Sequence, residues 1–218
     1  MQIASYKDFS KFIKVSRETY EKFLIYYKTL FVWQQKMNLV SSFSLENSLY
    51  RHFLDSAQIY KFCYQSKGNV LDFGTGAGFP GLVLAIMGVK DIHLVESNKK
   101  KCDFLAEVLI KTQTKAFIHN CRIECLPYLS PSFIISRALA PTQKLLNLCI
   151  NYMLKENINT SKEIAMHNLP NLLFLKGKSY KSELEDLPFS SKINFEIKNS
   201  ITSDKGKILF YKTKRILL

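Results

Sequence analysis

Leu71-Asp72-Phe73-Gly74-Thr75-Gly76-Ala77-Gly78-Phe79-Pro80-Gly81 carries a short apolar strand into a glycine-rich turn and then into the helix-like run Leu82 to Met87. Glycine serves such a turn in two ways. It tolerates positive φ, and it lets backbone approach a ligand with no Cβ between them. In an open α/β sheet, ligands bind at the carboxyl ends of the strands. The stretch therefore predicts a strand–turn–helix of a parallel sheet and a ligand site at its turn.

Towards the C-terminus the pattern alternates. Strands are expected at Ile92 to Val95, Ala116 to Ile118, Phe133 to Ile135 and Leu172 to Leu175, with helices at Cys102 to Ile110 and Thr142 to Met153. Such alternation implies βαβ crossovers and a parallel sheet covered on both faces. Ile193 to Lys198 and Ile208 to Lys212 instead alternate polar and apolar residues around Asp204-Lys205-Gly206, which predicts an antiparallel pair closing the sheet. Lys155 to Pro170 is polar and glycine-free and reads as a long loop.

Towards the N-terminus the period is helical. Ser16 can cap a helix whose stripe is Tyr20, Phe23, Leu24, Tyr27, Leu30 and Phe31; Asn38 breaks it. A second helix is expected from after Ser44 to Cys63, burying Leu45, Leu49, Phe53 and Tyr60, before Lys67-Gly68-Asn69 interrupts the pattern. The fold class is thus α/β: a Rossmann-like, mostly parallel seven-stranded sheet with an antiparallel C-terminal hairpin. A helical extension over residues 1–66 precedes the sheet domain at 67–218, the two forming one unit.

Composition bounds the partners. Of 218 residues 47% are hydrophobic, enough for a sizeable core. No apolar run approaches the roughly 18 residues of a membrane span, and the start lacks the apolar core of a secretory signal. Five cysteines without CxxC spacing read as reduced thiols of a cytoplasmic protein with no metal site. The net charge of +13 suits a polyanion, although richness in Lys, Ile, Asn, Phe and Tyr also fits AT-rich coding. Only Lys99 to Lys101 and the tail Lys212, Lys214 and Arg215 are clustered.

The dinucleotide fingerprint GxGxxG needs a third glycine where Phe79 stands, which disfavours a dehydrogenase. Gly74-x-Gly76-x-Gly78 has the spacing typical of S-adenosylmethionine-dependent methyltransferases. Glu96 follows the second strand, 22 residues after Gly74, where Rossmann-like folds place an acid that accepts both ribose hydroxyl protons.

Beyond these features the chain resembles a specific family. Gly74 to Gly81, Leu94-Val95-Glu96-Ser97, Asn38-Leu39-Val40, Arg51-His52-x-Leu54-Asp55-Ser56, Ile135-Ser136-Arg137-Ala138-x-Ala140 and Leu175-Lys176-Gly177 look like the bacterial 16S rRNA guanine-N7 methyltransferases, once called glucose-inhibited division protein B. The resemblance implies S-adenosylmethionine as cofactor, held by Gly74, Gly76, Gly78, Phe79, Glu96, Ile123, Glu124 and Arg137, with Ile123 and Glu124 against the adenine and Arg137 on the cofactor or the target-base side; the alternative for Arg137 is a surface arginine capping a helix. It implies 16S rRNA or the small ribosomal subunit as partner, with no membrane, and a chain acting as a monomer. It also brings Arg51 and Asp55 towards the chemistry; the alternative for that pair is an i,i+4 ion pair on a helix surface. His52 is either part of the same face or a packed histidine. Lys99, Lys100, Lys101 and Lys178 are candidate phosphate contacts. The chain departs from the family at Pro131-Ser132-Phe133, where an Asp is usual, and before the fifth strand, where a Pro-Gly-Gly turn is usual.

Guanine N7 has an exposed lone pair, so its methylation needs no general base; positioning and electrostatics suffice. Asp55 or Glu124 is a candidate carboxylate for the charge that moves onto the purine. Two other readings stay open: a methyltransferase with a small-molecule or protein acceptor, and a non-catalytic RNA-binding or ribosome-assembly protein.

Overall fold

Each inner strand sends alternate side chains to two apolar clusters, and this is why helices cover both faces. From β1 (Asn69–Phe73), Val70 enters one cluster while Leu71 and Phe73 enter the other. From β4 (Pro131–Arg137), Phe133 and Ile135 enter the first and Ile134 the second. The computed structural model describes residues 5–41, 45, 47–156, 160–187 and 193–213. The other strands are β2 (Ile92–Val95), β3 (Phe117–His119), β5 (Asn171–Lys176), β6 (Glu196–Asn199) and β7 (Lys207–Tyr211). Their order is β3-β2-β1-β4-β5-β7-β6. The first five pair in parallel; β7 pairs antiparallel with both β5 and β6. The expected seven-stranded sheet with its antiparallel C-terminal pair is what forms.

The helices are α1 (Tyr6–Ser10), α2 (Arg17–Gln34), α3 (Asp55–Ala57), α4 (Tyr60–Cys63), α5 (Gly81–Ile86), α6 (Lys99–Thr112), α7 (Thr142–Met153), α8 (Lys162–His167) and α9 (Tyr180–Glu185). Ser16 caps α2 as expected, its hydroxyl accepting from the Thr19 N–H at 3.0 Å. Phe9, Phe23, Tyr26 and Leu30 from the N-terminal helices share a core with Leu82, Phe104 and Ile135 of the sheet and its helices.

Three expectations are corrected. The second N-terminal helix is not continuous: a π-helical turn, Leu49–Leu54, is followed by α3 and α4. His52, Phe53 and Leu54 of this turn are all buried. At the expected start Leu45 is helical, while residues 42–44 and 46 lie outside the described residues. β3 runs one residue later than expected, because His119 accepts a hydrogen bond from the Glu96 N–H through its carbonyl. The Lys155–Pro170 stretch holds α8, capped by Ser161 and anchored by buried Ala165; residues 157–159 lie outside the described residues.

The chain runs from β1 outward to β2 and β3, then returns to β4 on the other side of β1. That reversal opens a crevice at the carboxyl ends of β1 and β4. The glycine turn follows β1 and Arg137 ends β4, so both borders of the crevice were candidates on sequence grounds.

Candidate functional site

The turn after β1 is built on a buried carboxylate. Asp72 is fully buried, and its Oδ2 accepts from Thr75 Oγ1 (2.5 Å) and from the Gly81 N–H (2.8 Å). Gly81 must be glycine for this: a Cβ there would lie 2.7 Å from that oxygen and from Leu94 Cδ2. Burial pushes the Asp72 carboxyl up to about 7, against the hydrogen bonds from Thr75 and Gly81 and the charge of Arg137. A carboxyl raised from 3.8 contributes fully to stability below that value and loses its contribution as pH rises through about 7. Asp72→Asn does not titrate. The stability of the wild type relative to this variant is therefore expected to fall by about 2 kcal/mol or more between pH 4 and pH 7.5. Urea midpoints at the two pH values check this, and a constant difference would contradict it.

Above the turn lies a cavity of about 520 Å³, lined among others by Gly74, Gly76, Phe79, Glu96, Ile123 and Arg137. Its size suits a small organic ligand. Gly76 has φ +59° and a Cβ built on it meets nothing closer than 3.9 Å, so the space over it belongs to the cavity. Glu96 is buried rather than solvated. Its Oε2 accepts from the Gly76 N–H at 3.0 Å and its Oε1 from the Asn98 N–H at 2.8 Å, which ties the end of β2 to the turn. Ile123 is buried and Glu124 exposed at the same cavity, and Lys101 reaches its rim. Gly78 is not among the lining residues. A Cβ there would meet Leu82 at 2.9 Å and crowd the Tyr26 hydroxyl, so packing by itself requires a glycine at this position.

A second cavity, about 510 Å³, adjoins the first. Arg51, His52, Asp55, Ser200 and Thr202 line it, and it shares Leu39, Val40, Arg137 and Ala138 with the first. Arg137 is the hinge of the arrangement. Nη1 donates to Asp55 Oδ2 (3.2 Å) and to the Arg51 carbonyl (3.3 Å), and Nη2 donates to His52 Nδ1. The guanidinium also lies 5.4 Å from the Phe79 ring centroid. Burial first, and Arg137 next, push His52 down to about 3, so it is the neutral acceptor the guanidinium requires. Its ring stacks on Phe79 at 5.0 Å, as does that of Tyr26 at 5.3 Å.

Asp55 pairs with Arg137 across the fold rather than making the helix-surface pair considered from sequence. Its other oxygen accepts from Gln58 Nε2 (2.8 Å), Thr202 Oγ1 (2.6 Å) and Ser200 Oγ (3.3 Å). Four donors occupy this carboxylate, so it holds the β6–β7 connection and Arg137 together. Lys99 is engaged with Asp103 at 2.5 Å, while Lys100 and Lys178 are exposed away from both cavities. Lys214 and Arg215 lie outside the described residues.

Two clamps were not foreseen. Gln34, at the end of α2, accepts from the N–H groups of Leu39 (2.9 Å) and Val40 (3.0 Å) and donates to the Val40 carbonyl (2.8 Å). One side chain thus fixes the segment that walls both cavities. Gln34→Ala is expected to speed amide exchange at Leu39 and Val40 about tenfold or more, at about 1–3 kcal/mol of stability. Unchanged exchange would mean that the segment is held by its packing alone. The second clamp is Lys176, which donates to Glu183 Oε2 (2.6 Å) and to the Ala140 carbonyl (2.8 Å). The same Glu183 oxygen accepts from the Thr142 N–H and hydroxyl, capping α7 from outside and fixing the loop after Arg137.

The five cysteines are unbridged, no described helix is long and apolar enough to cross a membrane, and the described residues contain no group of metal-ligating side chains. The fold has known counterparts. A Synechocystis magnesium protoporphyrin IX methyltransferase solved with bound S-adenosylmethionine superposes with a TM-score of 0.56 at 11% identity, covering 92% of this chain and 99% of that one. An S-adenosylmethionine-dependent methyltransferase from Aquifex aeolicus gives 0.50 at 16% identity, over 75% of this chain and 91% of that one. Sequence similarity is more specific. A protein of Rhodospirillum rubrum named ribosomal RNA small subunit methyltransferase G is 36% identical over 201 residues, 92% of this chain and 94% of that protein. Its namesake in Rickettsia prowazekii is 34% identical over 197 residues, 90% of this chain and 95% of that protein. Residues 19–211 match the family model described as rRNA small subunit methyltransferase G. The glycine turn, the Arg137 hinge and the helical N-terminal wall are thus features of a chain that belongs to the rRNA small subunit methyltransferase G family.

Proposed function

We propose that this chain methylates N7 of a guanine in 16S rRNA, acting as a monomer in the cytoplasm. The observation that carries the reading is the pair of adjoining cavities that share Arg137 and Ala138 at the carboxyl ends of the strands. One is fit for the donor and the other for an acceptor base.

The residues fit S-adenosylmethionine. The space over Gly76 would be filled by any side chain, and Glu96 keeps carboxylate lone pairs beyond the two used by Gly76 and Asn98. Gly74, Gly76 and Phe79 would hold the methionine side, Glu96 the ribose, and Ile123 and Glu124 the adenine. When bound, S-adenosylmethionine supplies a methyl group on a sulfonium.

The chain's own part is to position. Gln34 holds Leu39 and Val40 as a common wall, and Asp55 holds Arg137 between the cavities. A guanine has to leave its stack to enter the second cavity. Arg51, Ser200 and Thr202 line that cavity and present polar groups to a base edge. N7 carries a lone pair and no proton, so no base is needed, in keeping with a neutral His52 committed to Arg137. Asp55 acts through Arg137. Glu124, exposed at the rim of the first cavity, does not line the second and stays on the adenine side.

The test is incubation with labelled S-adenosylmethionine and small subunits from a strain lacking the modification, followed by identification of the base. N7-methylguanosine at one site is the expected result. Label on another atom, or on no nucleotide of intact subunits, would overturn the reading.

A further inference from the structure

The connection from β3 to β4 contains a single 3₁₀ turn, Ile123–Cys125, and no α-helix. The sheet face over β2 and β3 therefore carries its own surface. On it stand three rings in series. Phe117 stacks on His93 (centroids 4.6 Å, planes 17° apart), and His119 lies edge to edge with His93 in nearly the same plane (5.1 Å, 17°).

Hydrogen bonds lock the series. Asn69 Nδ2 donates to the Leu129 carbonyl, which leaves Asn69 Oδ1 to accept from His93 Nε2 at 3.1 Å. With its proton on Nε2, neutral His93 accepts at Nδ1 from His119 Nε2 at 2.9 Å. Burial holds both imidazoles below the ordinary histidine value, which favours the neutral rings. His93 is 7% exposed but Phe117 is 55% exposed. The series thus ends in an aromatic ring that is backed on one side and open to solvent.

Cations surround that open end. Lys115 is exposed just before β3, and Ile118, between Phe117 and His119, packs into the core on the other side of the sheet. A largely apolar groove of about 840 Å³ at the amino ends of the strands, walled by α5 and α6, has Phe117 at its edge and Lys22, Lys90 and Lys115 in its lining, with Asp91 as its acid.

We propose that this surface binds unpaired bases of the RNA substrate, a nucleobase extending the stack at Phe117 while Lys90 and Lys115 meet phosphates. The proposal rests on the reading of the acceptor as RNA. Rigid aromatic platforms on an open sheet face, flanked by cations, are a general way to hold single-stranded RNA without sequence reading. A protein partner would match the apolar area but would not need a backed, planar ring.

The test uses the full chain and two probes: a short oligoadenylate and the same backbone without bases. Wild type should prefer the oligoadenylate. Phe117→Ala and Phe117→Leu should both weaken it about 5- to 100-fold and abolish the preference. Phe117→Tyr should restore it, and S-adenosylmethionine affinity should stay unchanged in all three. Equal binding of the two probes, no binding of either by wild type, or Phe117→Leu behaving as wild type would each overturn the proposal; the last would mark an apolar protein-docking face. Methylation of small subunits by the wild type is scored separately, so failure of the platform and failure of the RNA-methyltransferase reading give different results.

Discussion

Glu96→Ala is expected to raise the dissociation constant for S-adenosylmethionine at least about 100-fold, since two hydrogen bonds to a charged group contribute about 1.5–3 kcal/mol each. Glu96→Gln should be nearly as damaging. Both carboxylate oxygens already accept backbone N–H groups, from Gly76 and Asn98. A glutamine can satisfy one of them and must turn its amide NH₂ against the other. Loss of ribose contact and distortion of the turn can be separated with a 2′,3′-dideoxy analogue of the cofactor. If Glu96 binds the ribose hydroxyls, the wild type should discriminate strongly against the analogue, and Glu96→Ala should bind both equally weakly. Calorimetric titration of the four combinations is the measurement. A variant that still discriminates would move the ribose to another partner.

Glu96 and the glycine turn were legible in the sequence because their geometry is local. A strand, three alternate glycines and an acid after the next strand are fixed by chain connectivity. The sheet was legible for the same reason, since apolar runs and helical stripes report burial on one or two faces. What was not legible depends on partners far apart in the chain. Arg137 meets Asp55 across 82 positions, Thr202 meets Asp55 across 147, and the Tyr26 hydroxyl meets the Ala77 carbonyl across 51. No periodicity carries such pairings. The π-helical turn was hidden too, because Leu45, Leu49, Phe53 and Tyr60 fit an ordinary helical stripe and nothing in that spacing marks a wider turn. Gly78 carries a further requirement that its spacing did not reveal: Tyr26, Leu82 and Leu105 crowd the place a Cβ would take.

The long-range pairings converge on Arg137, and so does the second large effect. Arg137→Ala removes every donor to Asp55 Oδ2 and His52 Nδ1 seen among the described residues. Breaking such a largely buried pair should cost about 3 kcal/mol of stability. Arg137→Lys is the more informative variant. It keeps the charge beside Asp55, and so most of the stability, but one ammonium cannot serve Asp55, His52 and the Arg51 carbonyl in the planar fork that a guanidinium provides. The wall between the two cavities then loses its fixed geometry. A displacement of about 1 Å at such a site is enough to slow transfer about 100-fold. We therefore expect Arg137→Lys to lower kcat on small subunits about 100-fold while S-adenosylmethionine affinity changes less than about fivefold. A wild-type kcat would reduce Arg137 to a structural cation. A loss of cofactor affinity matching that of Glu96→Ala, with kcat preserved, would put Arg137 wholly on the donor side and leave the second cavity without its link to the chemistry.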